Sequence, residues 1–167
     1  MFFAAPLVLG LVVGGGRADR AKPELACKLA APARLAAGSP VEISFRLTNR
    51  TPAPVSVLRW YTPLEGVRGD IFRVTRGRRE LPYEGPMMKR GDPSASDYVE
   101  IPAGKSVTGT ADLSAAYGIR EPGTYRVAFT RGLADVVRAG ETSPRPRDAH
   151  RPRKLSCAAI SIEVTPR

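Results

Sequence analysis

Three observations predict that this chain folds as one all-β domain. Two segments, Val41–Asn49 and Gly123–Phe129, alternate apolar and polar residues with the period of a half-buried strand. Turn-forming residues occur along the whole length, with 16 Pro and 16 Gly among 167 residues. No segment shows a strong helical period. With 43% apolar residues the chain can bury a core, which excludes a fully disordered protein.

The other predicted strands are short and bounded by turn residues. Ile71–Thr75 and Glu80–Tyr83 flank an Arg-Gly-Arg-Arg turn and predict a hairpin. A single helical turn is expected at Ser114–Tyr117. The remaining predicted strands are Val55–Trp60, Tyr98–Ile101, Ser106–Leu113 and Cys157–Val164, and Leu133–Val137 is expected to extend the strand before it. Asn49-Arg-Thr51, at a strand end, is also a glycosylation sequon.

Tyr125 makes the prediction of fold more specific. It lies just after Pro122-Gly-Thr at the beginning of a late strand, where immunoglobulin-like sandwiches carry a tyrosine corner. Two roles stay open for this side chain, a corner hydrogen bond to upstream backbone and simple packing in the core. We expect an immunoglobulin-like antiparallel β-sandwich of about seven to eight strands. It should span residues 25–165 as a single domain.

The N-terminus predicts export. The apolar run Phe2–Val13 is too short to span a bilayer, and glycines and charged residues follow it. Residues 1–18 are therefore predicted to be a signal peptide, cut after Ala18 or as late as Ala21. We expect a secreted or periplasmic protein with no stable membrane insertion after signal removal. In an exported chain Cys27 and Cys157 predict one disulfide, with two buried free thiols or a metal pair as the alternatives; two cysteines with no histidine nearby make a poor metal site.

Charge is strongly positive, with 26 Lys and Arg against 16 Asp and Glu. No aromatic residues interleave with the arginine clusters as a base-stacking surface would need, so no nucleic-acid partner is expected. Basic residues and prolines concentrate late in the chain, and we predict a mobile basic loop at about 138–155. Catalysis would have to use His150, the single histidine, which lies within that loop. With HExxH and a phosphate-binding glycine loop both absent, we expect no enzyme activity, metal or cofactor.

A specific pattern lies in the middle of the chain. Leu58-Arg-Trp-Tyr-Thr-Pro-Leu-Glu-Gly66 is followed by Asp70-Ile-Phe-Arg-Val-Thr75, Asp97-Tyr-Val-Glu-Ile-Pro-Ala-Gly104 and Asp112-Leu-Ser-Ala-Ala-Tyr117. Over roughly residues 40–130 this resembles the non-catalytic, prodomain-like N-terminal domain of bacterial deuterolysin and peptidyl-Lys metalloendopeptidase precursors. In that family a zinc peptidase domain follows. This sequence lacks that domain, so the zinc chemistry does not carry over.

The resemblance implies a surface that contacts a protease. Trp60, Gly66 and Tyr125 are expected to be structural, although Trp60 could instead anchor a partner. Glu65 could pair locally to hold its loop, and Leu64 could be core. The candidate partner-binding residues are Tyr61, Thr62, Pro63, Leu64, Glu65, Lys89 and Arg90.

Two functions remain open at this stage. The first is a module that binds a deuterolysin-type protease and restrains or chaperones it. The alternative is an immunoglobulin-like module of the cell envelope, without a protease partner, whose basic loop contacts anionic envelope polymers.

Overall fold

The computed structural model describes Met1 and residues 24–167, so the predicted signal peptide lies outside the described residues apart from Met1. The described chain contains eleven strands and two 3-10 helices, Ala95–Asp97 and Arg147–Ala149, which confirms the all-β class. The strands are β1 Leu25–Ala30, β2 Arg34–Ala36, β3 Glu42–Asn49, β4 Val55–Leu58, β5 Phe72–Arg76, β6 Arg79–Leu81, β7 Tyr98–Ile101, β8 Ser106–Asp112, β9 Gly123–Phe129, β10 Val136–Arg138 and β11 Ile160–Thr165. Within this part of the chain, no helix is long and apolar enough to cross a membrane.

The strands form three sheets, in the orders β1-β3-β8, β10-β4-β7 and β2-β11-β9-β5-β6. The strand number exceeds the expected seven to eight because three strands have only three residues each. One pair, β2 with β11, is parallel, whereas an entirely antiparallel sandwich was expected. β1 and β2 were not predicted, because their alanine-rich sequence lacks a clear alternation.

Aromatic side chains join two of these sheets face to face. Phe45 on β3 contacts Phe129 on β9 with ring centroids 5.4 Å apart. Phe72 on β5 approaches the same ring at 5.9 Å. The apolar positions of both alternating segments are buried, as predicted. The core therefore lies between sheets, as in a β-sandwich, and each large side chain in it contributes about 1.5–3 kcal/mol.

Two tyrosines fasten turns to this core. Tyr125 is fully buried, and its hydroxyl donates to the carbonyl of Glu121 at 2.8 Å, so both proposed roles hold. The expected turn at Ser114–Tyr117 is present, closed by a hydrogen bond from the Tyr117 amide to Leu113. The Tyr117 hydroxyl donates to Asp70 at 3.0 Å and accepts the amide of Phe72 at 2.9 Å.

Leu133–Val137 does not extend β9, and that prediction is wrong. Leu133 and Arg153 exchange backbone hydrogen bonds of 2.8 and 2.9 Å, and the chain then enters β10 in a different sheet. Gly132 permits this crossing, because a Cβ atom there would lie 2.5 Å from the carbonyl oxygen of Arg153.

Asn49 ends β3 with a fully buried side chain. Its Nδ2 atom donates to the carbonyls of Ala53 and Ile101 at 2.8 and 2.9 Å. Its Oδ1 atom accepts the amide and the hydroxyl of Thr51 at 2.9 and 2.7 Å. The asparagine of the sequon is therefore a structural residue that ties two turns to a strand end.

The predicted disulfide between Cys27 and Cys157 is present, with Cα atoms 5.2 Å apart. Cys27 lies on β1, and Cys157 lies just before β11, so the bond links two different sheets. It closes a loop of 130 residues.

Removing this bond should destabilise the protein strongly. In the chain-entropy model a loop of this length is worth about 4–5 kcal/mol. The double substitution Cys27→Ser and Cys157→Ser should lower the urea midpoint accordingly. Wild-type protein measured with reductant is the control and should match the double variant. An unchanged midpoint in both samples would contradict the assignment.

Candidate interaction site

Trp60 anchors the loop that follows β4. Its side chain is 5% exposed, and Nε1 donates to a carboxylate oxygen of Asp97 at 3.0 Å. The pKa of Asp97 lies below its ordinary value, chiefly because the backbone amide of Ser94 donates to the same carboxylate. Trp60 therefore occupies a packed position, as its expected structural role requires.

Three loops meet around this indole ring. The guanidinium carbon of Arg90 lies 4.9 Å from the ring centroid of Trp60, within cation–π range. The ring of His150 approaches from another loop at 6.4 Å. We name Trp60, Glu65, Arg90, Asp97 and His150 the Trp60 cluster.

Glu65 holds the loop from within. Both of its oxygens accept the same Arg90 nitrogen, at 2.8 and 2.7 Å, and the two side chains are only 14% and 13% exposed. One oxygen also accepts the Tyr61 amide at 2.9 Å. Glu65 and Arg90, both candidate partner-binding residues, therefore pair with each other inside the protein, and the Nε atom of Arg90 has no hydrogen-bond partner among the described residues.

Tyr61 occupies an uncommon backbone conformation for a residue that is not glycine, with φ at 59°. Such a left-handed position costs about 1–2 kcal/mol, which the bond from Glu65 to the Tyr61 amide helps to offset. The side chain is 37% exposed. The loop thus uses local strain to present an aromatic side chain at the surface.

Thr62 and Pro63, the next two residues of this loop, are buried. A Cβ atom at Gly109 on β8 would lie 2.3 Å from the carbonyl oxygen of Pro63, so only glycine allows this contact. Leu64 is half-buried, and Gly66 adopts a positive φ of 77°. Sequence reasoning missed Gly109, although a glycine inside a strand is a recognised sign of close backbone approach.

The exposed members of the predicted set are Tyr61 and Lys89. Lys89 follows Met87 and Met88, which are 77% and 45% exposed. We name Met87–Lys89 the Met-Lys strip. It directly precedes Arg90, so the Trp60 cluster fixes one end of it.

Asp135 organises the basic segment, residues 138–155. Its carboxylate is fully buried and accepts the hydroxyl of Tyr98, a guanidinium nitrogen of Arg145 and the amide of Arg151, at 2.8, 2.9 and 2.8 Å. Arg145 also donates to Glu141 at 2.7 Å. The segment is therefore anchored at its middle, and mobility elsewhere in it stays a prediction. Sequence reasoning missed Asp135.

A groove lies beside the Trp60 cluster. β11 pairs with β9 only as far as Val127, so Ala128 and Phe129 are paired on the β5 side alone. Beyond the end of β9, residues 130–134 and residues 152–156 line a cavity of about 1030 Å³. We name it the β9–β11 groove; it is lined by Leu25, Tyr61, Thr130, Arg131, Gly132, Leu133, Ala134, Pro152, Arg153, Lys154, Leu155 and Ser156.

The groove is positively charged. Arg131, Arg153 and Lys154 line it, and no carboxylate does. None of these three cations takes part in an ion pair with a carboxylate of the described residues. Anionic groups would therefore meet an uncompensated positive field there.

His150 is half-buried against Trp60, and its Nε2 atom has no hydrogen-bond partner among the described residues. Across residues 24–167, no three His, Cys, Asp or Glu side chains come together in a group that could hold a metal ion.

Replacing Arg90 should loosen the Trp60 cluster. Arg90→Ala removes the cation–π contact and leaves Glu65 without its partner, at a cost of about 2 kcal/mol. Because the chain has a single tryptophan, its fluorescence reports on this site alone, and emission should move to longer wavelength. Arg126→Ala, at an exposed arginine on β9, is the control and should leave emission unchanged. Equal spectra for both variants would refute the contact.

Tyrosine ionisation should destabilise the protein at alkaline pH. Burial, with the hydrogen bond to Asp135, raises the pKa of Tyr98 from 10.0 to about 12. Since the folded state holds this proton more tightly, stability is full below pH 10 and falls as pH rises towards 12. The unfolding free energy of Tyr98→Phe should fall less steeply over that window in urea titrations. Tyr61→Phe is the matched control, and identical slopes for both variants would contradict the assignment.

Comparison with known proteins relates this chain to part of a longer protein. The chain is 34% identical over 125 residues to an extracellular protease of Aeromonas hydrophila; this match covers 74% of the chain and 35% of that protein. No protein-family model matches the chain. An alkylpurine DNA glycosylase of Pseudomonas fluorescens, solved with DNA containing an abasic site analog, aligns with 84% of this chain and 30% of its own at 14% identity. The TM-score of this alignment is 0.33, which does not establish a shared fold. The chain is thus similar to a region of an extracellular protease.

Proposed function

We propose that this chain is a secreted, non-catalytic module that binds an extracellular protease and restrains it. The observation that carries the proposal is the 34% identity to an extracellular protease, of which the chain spans about a third. The resemblance to deuterolysin-type prodomains, described above, supports a protease of that class as the partner. Whether protease and module belong to one chain or two, the same contacts would serve.

The Met-Lys strip supports a docking role. Methionine side chains adapt to irregular partner surfaces, and exposed pairs of them are found at such interfaces. The buried Glu65–Arg90 pair fixes the end of the strip, which lowers the entropy lost on binding. Where the protease prefers lysine, Lys89 is the side chain that would enter its specificity pocket.

Absence of catalysis is part of the proposal. The single histidine packs against Trp60 in a half-buried position, which suits a structural role. A nucleophile and a base within hydrogen-bond reach, which acyl transfer needs, are not found around it among the described residues.

Titration of a deuterolysin-type protease from the same source tests the proposal. Adding the purified chain should abolish peptide cleavage at a stoichiometric ratio. The pair of substitutions Met87→Ser and Lys89→Ala should weaken inhibition about tenfold or more, since central apolar and charged contacts dominate interfaces. Lys105→Ala, at an exposed lysine remote in sequence from the strip, is the matched control. Refolding denatured protease with and without the chain separates chaperoning from restraint.

Full protease activity together with separate elution in size-exclusion chromatography would overturn this proposal. Glu65 is unsuitable for the test, because its substitution disturbs the Tyr61 loop from within.

The net charge of +10 favours the second candidate, an envelope module without a protease partner. If the chain is such a module, it should bind purified anionic envelope polysaccharide, and the binding should weaken as the salt concentration rises. Binding of that kind, without a protease complex, would replace the first candidate by the second.

A further inference from the structure

The β9–β11 groove combines features that the proposed docking strip does not use. Its walls are residues 130–134, which follow β9, and residues 152–156, and backbone hydrogen bonds between Leu133 and Arg153 join these two segments. Because a Cβ atom at Gly132 would clash with this bridge, the two walls are held at a fixed spacing. The groove is therefore a built feature of the fold.

The far wall is fixed independently. Asp135 accepts the amide of Arg151, which directly precedes the wall residues. The disulfide at Cys157 holds their other end against β1. A segment pinned at both ends keeps its shape before a partner arrives, which reduces the entropic cost of binding.

Apolar side chains line part of the groove. Tyr61 lies at the edge, strained into a left-handed conformation and 37% exposed. Leu155 is half-buried there, and Leu133 and Pro152 complete the apolar lining. Residues held in sparsely populated backbone conformations concentrate where a ligand is clamped.

We infer that the β9–β11 groove binds an acidic peptide segment of a protein partner. Its carboxylates meet Arg131, Arg153 and Lys154, and an apolar side chain packs between Tyr61 and Leu155. This inference rests on the proposed function only for the identity of the partner, a protease. The groove would be a second contact with the partner, distinct from the Met-Lys strip, and it would recognise acidic and apolar side chains.

Charge and shape together select a peptide over a simple polyanion. The three cations line the groove without a carboxylate, so they favour any anion. The tyrosine and leucine side chains gain only from a ligand that carries apolar groups as well. A polysaccharide or nucleic acid would leave that apolar lining unused.

A fluorescein-labelled peptide of alternating glutamate and leucine tests the inference by fluorescence anisotropy on the full chain. Binding should weaken about tenfold in the double variant Arg153→Ala and Lys154→Ala, and in Tyr61→Ala. The double variant Arg78→Ala and Arg79→Ala, at exposed positions of the β5–β6 hairpin, loses the same charge and should bind normally; it is called the turn variant below. Circular dichroism checks that every variant keeps its sheet content.

Two results would overturn the inference. One is equal affinity of the groove variants and the turn variant. The other is equal affinity for a peptide of alternating lysine and leucine, or equal competition by polyglutamate, which carries charge without apolar side chains.

The protease itself separates this inference from the proposed function. Loss of the protease complex in the groove variants, with retention in the turn variant, supports both. An unchanged complex in the groove variants overturns the groove contact and leaves the module's role intact. Peptide binding by a chain that forms no protease complex overturns the proposed function and leaves the groove assigned.

Discussion

The buried carboxylate of Asp135 constrains the whole candidate surface. A charge removed from water is tolerated only when donors surround it, and an uncompensated one costs several kcal/mol. Three donors, from Tyr98, Arg145 and Arg151, converge on it from two parts of the chain. This convergence fixes a long segment without regular strands against the sheets. His150 and the groove wall occupy their positions because they flank Arg151.

The two parts of the candidate surface divide their roles. In the Trp60 cluster, the Glu65–Arg90 pair and the Trp60–Asp97 hydrogen bond hold the loops together. In the groove, three cations are exposed beside the side chain of Tyr61. Tyr61 belongs to both, since Glu65 holds its backbone while its side chain lines the groove. A partner at the groove would therefore contact the same loop that supports the Met-Lys strip.

Local patterns accounted for much of the fold. Alternation located β3 and β9, the Arg-Gly turn located the β5–β6 hairpin, and an even cysteine count located the disulfide. The strands and the hairpin depend on residues close in sequence, and the disulfide prediction depends only on an even cysteine count in an exported chain. The alanine-rich strands β1 and β2 carried no alternation, so they were missed.

The candidate site was less predictable, because its contacts join distant parts of the chain. Glu65 and Arg90 are 25 residues apart, and nothing in either local sequence marks them as partners. Asp135 lies among apolar residues with no motif around it. Gly109 supports the Tyr61 loop only because β8 happens to run beneath Pro63. Each of these needs the assembled sheets before its role can be recognised.

Asn49 has a consequence for how the protein can be produced. The nitrogen that would carry a glycan is the same Nδ2 atom that donates to backbone carbonyls inside the fold. Glycan attachment and the native structure are therefore mutually exclusive at this residue. In a host that modifies such sequons during synthesis, folding and the glycosylation machinery compete for one atom. Every modified chain would be lost from the folded population, so expression in a bacterial periplasm suits this sequence better.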